Sequence, residues 1–257
     1  MDTYGCGCQH NCSYCYARSL LAFRGLWDPV RPRIADIEKI RRKVRRLPEG
    51  TIVRMGGMTD CFQPLELEQR IAYQTIQELN RQGVGYLIVT KSSIVARPEY
   101  LELFDRKLAH IQVTVTTLDA ERAWKYEHAS PPDERTAAIM QLQDTGFDVS
   151  IRLSPIVEEF MDFDRLNGLG IQKGIVEFLR INSWIKQWFQ GVDYRQYTHR
   201  QGGYCHLPLE EKIRILEKIR IPDISVCEDV TGHYDYWKEY VNPNKEDCCN
   251  LRLEAEK

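Results

Sequence analysis

Residues 51–93, "TIVRMGGMTDCFQPLELEQRIAYQTIQELNRQGVGYLIVTKSS", hold a strand, a helix and a second strand in one sweep. Thr51–Gly56 is a short apolar run of strand type. Leu67, Ile71, Thr75 and Leu79 then recur at helical spacing, and Gly83 supplies a stop. Gly85–Ser93 opens on another apolar strand. No two-residue hairpin turn joins the two strands, so they are expected to run parallel with the helix as crossover.

The alternation continues outward. Residues 98–108 read as a helix with Leu101, Phe104 and Leu108 on one side, and 110–118 as a strand. Residues 134–146 read as a helix, and 147–155, 175–181 and 222–229 as three more strands, the last preceded by a helix over 207–220. Six strands interleaved with helices predict an α/β fold, a partial parallel (β/α)6-type barrel. A doubly wound open sheet is the alternative. Residues 156–174 lack a clean period and read as a long loop. Residues 191–207, rich in Gly, Tyr and His, read as an excursion over the active-site end. With no repeat or linker in view, residues 1–230 form the expected core domain and 231–257 a short Cys-containing C-terminal extension.

Composition narrows the class. Of 257 residues, 43% are apolar and 28% charged, which is ordinary for a globular chain. A net charge of -2 exerts no global pull toward nucleic acid or membrane. No apolar run approaches the roughly 18 residues that span a bilayer, and no signal peptide precedes the cysteines, so a cytoplasmic, reducing location is expected. There, clustered cysteines are more often metal ligands or reactive thiols than disulfides. Nine cysteines, an odd number, also suit a disulfide framework badly.

Four of them crowd into "YGCGCQHNCSYCYAR", Tyr4–Arg18. Cys8, Cys12 and Cys15 follow the pattern C-x3-C-x2-C. Three thiolates on one loop can each reach a different iron of a [4Fe–4S] cube and leave the fourth iron open. A structural zinc would want four ligands, usually in two separated pairs. Cys6 would complete such a set, but on an uncommon spacing.

The spacing, with an aromatic residue just before the third cysteine, resembles the signature of the radical S-adenosylmethionine (SAM) superfamily. The wider phrase "GCQHNCSYCYAR" resembles its spore photoproduct lyase-like branch, over about residues 4–230. The resemblance implies a radical SAM barrel and a [4Fe–4S] cluster on Cys8, Cys12 and Cys15. It also implies reductive cleavage of SAM to a 5'-deoxyadenosyl radical, and a reducing partner such as flavodoxin or ferredoxin. By the same resemblance, the turn after the first strand, "MGGMTDCF", contributes Gly56, Gly57, Thr59 and Asp60 to SAM binding. Lys91 and Ser92 in "TKSS", Thr116 or Thr117 in "VTVTT" and Arg152 in "IRLSP" are further SAM contacts, each at the C-terminal end of a strand. Where the lyase keeps a hydrogen-donating cysteine this chain aligns Gly57, and Cys61, four residues on, is the catalytic substitute. Dimer-repair activity is therefore not carried over.

Cys205, Cys227, Cys248 and Cys249 form a second constellation. It is read as a site for an auxiliary iron–sulfur cluster, the alternatives being a redox-active or metal-trafficking pair and small buried hydrophobes. Residues 31–50 read as a helix with Ile34, Ile37, Ile40, Val44 and Leu47 inward and a basic stripe outward. The stripe suits phosphates, or simply solvent. Aromatic residues Trp184–Tyr204 suit stacking on bases or a lid. Nucleic acid is the first substrate expected, with a peptide or small molecule next. A non-catalytic iron–sulfur or zinc-binding module is the reading from a different class.

Overall fold

The computed structural model describes residues 1–244 and 247–251. The six expected strands all form: β1 (Ile52–Met55), β2 (Gly85–Thr90), β3 (Ala109–Thr114), β4 (Asp148–Ile156), β5 (Lys173–Phe178) and β6 (Asp223–Val226). They make one sheet in the order β6-β5-β4-β3-β2-β1, with every neighbouring pair parallel. Spatial order follows chain order throughout. That excludes the doubly wound alternative, whose strand order reverses at a switch point. Among the described residues nothing pairs β1 with β6, so the sheet is an open arc, the partial barrel the alternation implied.

Register explains what each face does. Arg54 stands opposite Leu87, Val89 opposite Gln112, Thr114 opposite Arg152, and Ile175 beside both Arg152 and Ser225. Partners in register share a face, so the inner face carries Arg54, Lys91, Gln112, Arg152, Glu177 and Cys227. The outer face carries Val53, Ile88, Ile111, Val113, Ile151 and Val176, all buried. Helices such as Ile71–Arg81 and Pro132–Asp144 cover that apolar face. Each fully buried aliphatic side chain there contributes about 1.5–3 kcal/mol. The core therefore lies between sheet and helices, and the concave side is left polar for chemistry.

Several elements depart from expectation. The helix expected over 65–83 is broken into Glu66–Gln69 and Ile71–Arg81, with Arg70 left-handed at φ 52°. The buried Glu66 carboxylate accepts from the Ala72 and Tyr73 amides at 2.9 and 2.8 Å, so it caps the second helix and enforces the break. The basic helix spans only Ile37–Val44, because Asp36 caps it. Ile34 lies before that cap, pairs with Tyr4 in a two-residue antiparallel ribbon, and is exposed rather than inward. The helix read over 98–108 ends at Leu103. The loop 156–174 holds a 3-10 turn, Glu158–Phe160, and the helix Phe163–Asn167. In 191–207, His199–Gln201 and Tyr204–His206 pair as a hairpin. Gln201 ties it to the Asp229 carbonyl at 3.1 Å and the Thr231 amide at 3.1 Å, beside the mouth of the central cavity.

The C-terminal extension packs on the core. Its helix His233–Tyr240 buries Trp237 completely, with the indole stacked on Phe178 at 6.1 Å. Residues 245, 246 and 252–257 of the extension lie outside the described residues.

Candidate active site

The cysteine loop is held from both sides. The Ser13 amide donates to the Tyr126 carbonyl at 2.9 Å, and the His128 amide to the His10 carbonyl at 2.8 Å. Gln9 exchanges hydrogen bonds with Gln63 and the Leu65 amide. Gly7 has no room for a side chain, since a Cβ there would lie 1.8 Å from the Asp28 carbonyl oxygen. Both tyrosines of the motif are engaged. Tyr14 is buried, donates to the Glu127 carboxylate, and meets Tyr126 and Phe189 edge-on. Tyr16 donates to the Gly57 carbonyl at 2.8 Å and faces the cavity.

So anchored, Cys8, Cys12 and Cys15 line a cavity of about 510 Å³ at the carboxyl ends of the strands. Cys15 caps the helix Tyr16–Phe23, its sulfur accepting from the Arg18 amide at 3.4 Å. Burial dominates the acidity of all three thiols. It pushes Cys8 up to about 12, Cys12 well above the ordinary thiol value, and Cys15 upward. A thiol trio that resists ionisation alone, facing one cavity, suits a multivalent cationic group that would stabilise the thiolates.

The turn after β1 stands beside it. Gly56 has φ 79°, and a Cβ there would come within 2.7 Å of the Val89 carbonyl oxygen, so backbone and cavity meet directly. Gly57 and Thr59 also line the cavity, and the Thr59 hydroxyl donates to the Tyr4 carbonyl. Asp60 is a buried hub accepting from Thr90, the Lys91 and Phe62 amides and His10. Burial alone would raise its pKa, but His10 and these donors hold it below the usual carboxylate value. Lys91 reaches the cavity with its ammonium 3.5 Å from the Ser154 carbonyl. Arg152 lines it too, but its guanidinium is already spanned between Gln112 at 2.8 Å and Glu177 at 2.7 Å.

Four expected residues lie elsewhere. Cys61 is buried in the apolar core, and its thiol is raised well above the ordinary value by that burial. It does not line the cavity, which removes the geometric basis for a catalytic role. Ser92 caps the 3-10 turn Ser93–Ala96. Thr116 donates to Glu127 at 3.2 Å and contacts the Tyr126 hydroxyl, away from the cavity that Thr114 lines instead. Cys205 sits in the hairpin, paired with Ile181, apart from the other three C-terminal thiols. Cys227, Cys248 and Cys249 do come together, with all three sulfurs within 4.8 Å of one another.

Sequence reasoning missed Arg54, Glu177 and Arg180, which line the same cavity. Arg180 bridges Glu177 at 3.1 Å and Asp229 at 2.9 Å. Glu177 is held below its ordinary pKa: burial opposes this, and Arg152, Ser154 and Arg180 outweigh it together. For Arg54 and Glu177 the available signal was a single charged residue within an otherwise apolar strand segment; Arg180, past the end of β5, carried none. The basic stripe, by contrast, is answered locally. Arg41 pairs with Glu38 and Arg45 with Glu78, and neither arginine lines the cavity.

Fold and site together define a partial parallel barrel with three cysteines facing one cavity at the strand ends. Residues 3–163 match the Radical SAM superfamily, and the chain belongs to it. Membership implies a [4Fe–4S] cluster and SAM as cofactors and an enzyme as the class; the three thiols and the tight Gly56 turn fit such a pair. Uncharacterized protein MJ0683 of Methanocaldococcus jannaschii is 26% identical over 170 residues, 63% of this chain and 62% of that protein. Uncharacterized protein Rv2578c of Mycobacterium tuberculosis is 26% identical over 168 residues, 61% of this chain and 49% of that protein. The chain thus spans less than two thirds of either relative. Among solved structures, spore photoproduct lyase complexed with dinucleoside spore photoproduct superposes with a TM-score of 0.64 at 17% identity, over 86% of this chain and 73% of that one. Methylornithine synthase does so at 0.54 and 14%, over 88% and 62%. These likenesses concern the fold. Among the described residues, no helix is long and apolar enough to cross a membrane.

Proposed function

We propose that this chain reductively cleaves SAM and directs the resulting radical at a nucleic-acid substrate. One observation carries the first half: the buried Cys8 and Cys12, the half-buried Cys15, Lys91 and the Gly56 turn face a single cavity at the strand ends. Cys8, Cys12 and Cys15 would hold the cluster. When bound, it supplies the electron that splits SAM into methionine and a 5'-deoxyadenosyl radical. The chain's own residues orient and shield. Gly56 and Gly57 let the backbone approach the ligand, and Asp60 fixes that turn to β2 through Thr90 and Lys91. Lys91 offers a cation to the SAM carboxylate.

The substrate half rests on the rim. Arg54 and Arg180 line the cavity beside Tyr16, and Arg18 stacks on Trp188 at 4.3 Å. Cations interleaved with aromatic faces suit phosphates and bases, and a lyase of the same fold has been solved with a dinucleoside photoproduct. A small reducing partner such as flavodoxin or ferredoxin would deliver the electron.

The test is anaerobic reconstitution with iron and sulfide, followed by dithionite and SAM. The expected product is 5'-deoxyadenosine, abolished by Cys12→Ala; a reconstituted, reduced protein that yields none overturns the reading. For the substrate, retention of oligonucleotide should fall steeply with salt and drop about tenfold in the Arg54→Ala/Arg180→Ala variant. Salt-insensitive retention would exclude nucleic acid.

A further inference from the structure

The C-terminal thiols are spaced differently from the N-terminal ones. Cys227 and Cys248 have their sulfurs 3.3 Å apart, and Cys249 brings the trio within 4.8 Å. Two thiolates on one tetrahedral ion with metal–sulfur bonds of about 2.3 Å sit about 3.8 Å apart. A cube gripped at three corners needs its thiolates spread over three different irons. Among the described residues no other His, Cys, Asp or Glu trio is gathered this closely, the Cys8–Cys12–Cys15 set included. All nine cysteines are free thiols.

The trio is also built rather than accidental. Cys227 directly follows β6, and residues 247–251 lie across the inner face of the sheet, against Ser225, Gln112 and Asp223. The Cys248 carbonyl accepts from Ser225 on β6 at 3.0 Å, and the Cys249 carbonyl from Gln112 on β3 at 3.2 Å. Asn250 donates to Asp223 at 2.7 Å, and Asp247 accepts from the Cys249 amide at 2.9 Å. Gln112 in turn accepts from Arg152, whose guanidinium stands beside the Cys227 sulfur. These contacts fix the direction of the vicinal pair, as outer-shell partners do at metal centres, and Arg152 offsets the negative charge that three thiolates leave on a divalent ion.

We propose that Cys227, Cys248 and Cys249 bind a single thiophilic divalent cation, zinc in the first instance, as a mononuclear site in the wall of the same cavity. An all-thiolate donor set selects zinc or iron over magnesium or calcium. Three protein ligands and no fourth from the described His, Cys, Asp or Glu residues leave one position for a ligand, the pattern of a catalytic rather than a structural zinc. Cys227 and Cys248 line the same cavity as the cysteine loop, so that position takes a soft or anionic donor atom of a cavity-bound molecule. An auxiliary iron–sulfur cluster on the same three thiols is the competing occupant; Cys205, its candidate fourth ligand, lies apart from them.

The metal site stands apart from the SAM reading, and the test keeps the two separable. In a chain carrying Cys8→Ala, Cys12→Ala and Cys15→Ala, anaerobic titration with cobalt(II) should saturate at one equivalent. It should develop the near-ultraviolet charge-transfer band of tetrahedral thiolate coordination. Zinc should displace the cobalt, and Cys249→Ser should weaken binding at least tenfold. A folded variant, judged by circular dichroism, that shows no such band overturns the proposal. So does uptake of sulfide together with several irons by that variant, which would restore a cluster at this site. The unaltered chain, purified anaerobically, provides a second measure independent of that variant's folding. About one zinc per chain is expected, lost in Cys249→Ser while the iron content stays unchanged, and a zinc content near zero overturns the site.

Discussion

At Gly56 the backbone turns through a positive φ directly under the Val89 carbonyl, 2.7 Å from where a Cβ would stand. Gly56→Ala must both strain the turn and displace backbone, and should cost more than about 1 kcal/mol in chemical denaturation. Gly57→Ala meets only the Asp2 carboxylate at 3.8 Å and should be nearly neutral, which separates the turn's geometry from any general intolerance. Beneath the cysteine loop, the fully buried Glu127–Arg135 pair holds Tyr14 and Thr116. Burial pushes Glu127 up, but Arg135 and Lys91 bring it below the ordinary carboxylate value. Arg135→Met leaves that charge without its main partner and should cost about 3–5 kcal/mol; a loss under 1 kcal/mol by urea titration would contradict this. The three cysteines that face the cavity were legible as a set because their spacing is local. Glu127 was not, since it is brought beneath the cysteine loop by tertiary packing from a segment with no motif of its own.

Elements obey the same division. All six strands were readable, because an apolar run bounded by turns is a local signal. The break at Arg70 was not. It depends on Glu66 folding back onto amides six and seven residues ahead, while the hydrophobic period runs through the break unaltered. The 3-10 turn after β4 was likewise hidden, since its anchor is distant. Glu158 there meets Arg214 and Lys218 of the segment before β6. Hydrogen bonds from Arg214 first, then from Lys218, lower its pKa from 4.5 to about 2. A carboxylate lowered by folding stabilises the native state above its unfolded pKa, and that contribution is lost as pH falls from about 4.5 to about 2. Both cations are more than 40% exposed, so screening limits the gain to about 1 kcal/mol. Glu158→Gln should cost up to about 1 kcal/mol at pH 7 and flatten the acid limb, the two proteins converging in stability as pH falls to about 2. An unchanged acid limb would show that the pair contributes nothing.

Across the whole molecule, the polar concave face of the sheet has to be closed by something, and much of that closure comes from the C-terminal segment. The division at residue 230 read from the sequence follows the reach of the family resemblance, about residues 4–230. The contacts cross it freely: Trp237 stacks on Phe178 of β5, its indole donates to Glu228 at 2.8 Å, and Asn242 exchanges two hydrogen bonds with Val226. No local pattern marks a tryptophan in a polar helix as the one that will be fully buried. If the segment is integral, removing that side chain lowers the stability of the entire chain rather than loosening its end. Trp237→Ala should therefore cost about 3–5 kcal/mol, with circular dichroism and tyrosine fluorescence reporting one coincident denaturation transition. A separable early transition, leaving the sheet at its original midpoint, would instead make residues 231–251 an appendage. The proposed metal site would then be borrowed by the barrel, not built into it, because two of its three ligands lie beyond that boundary.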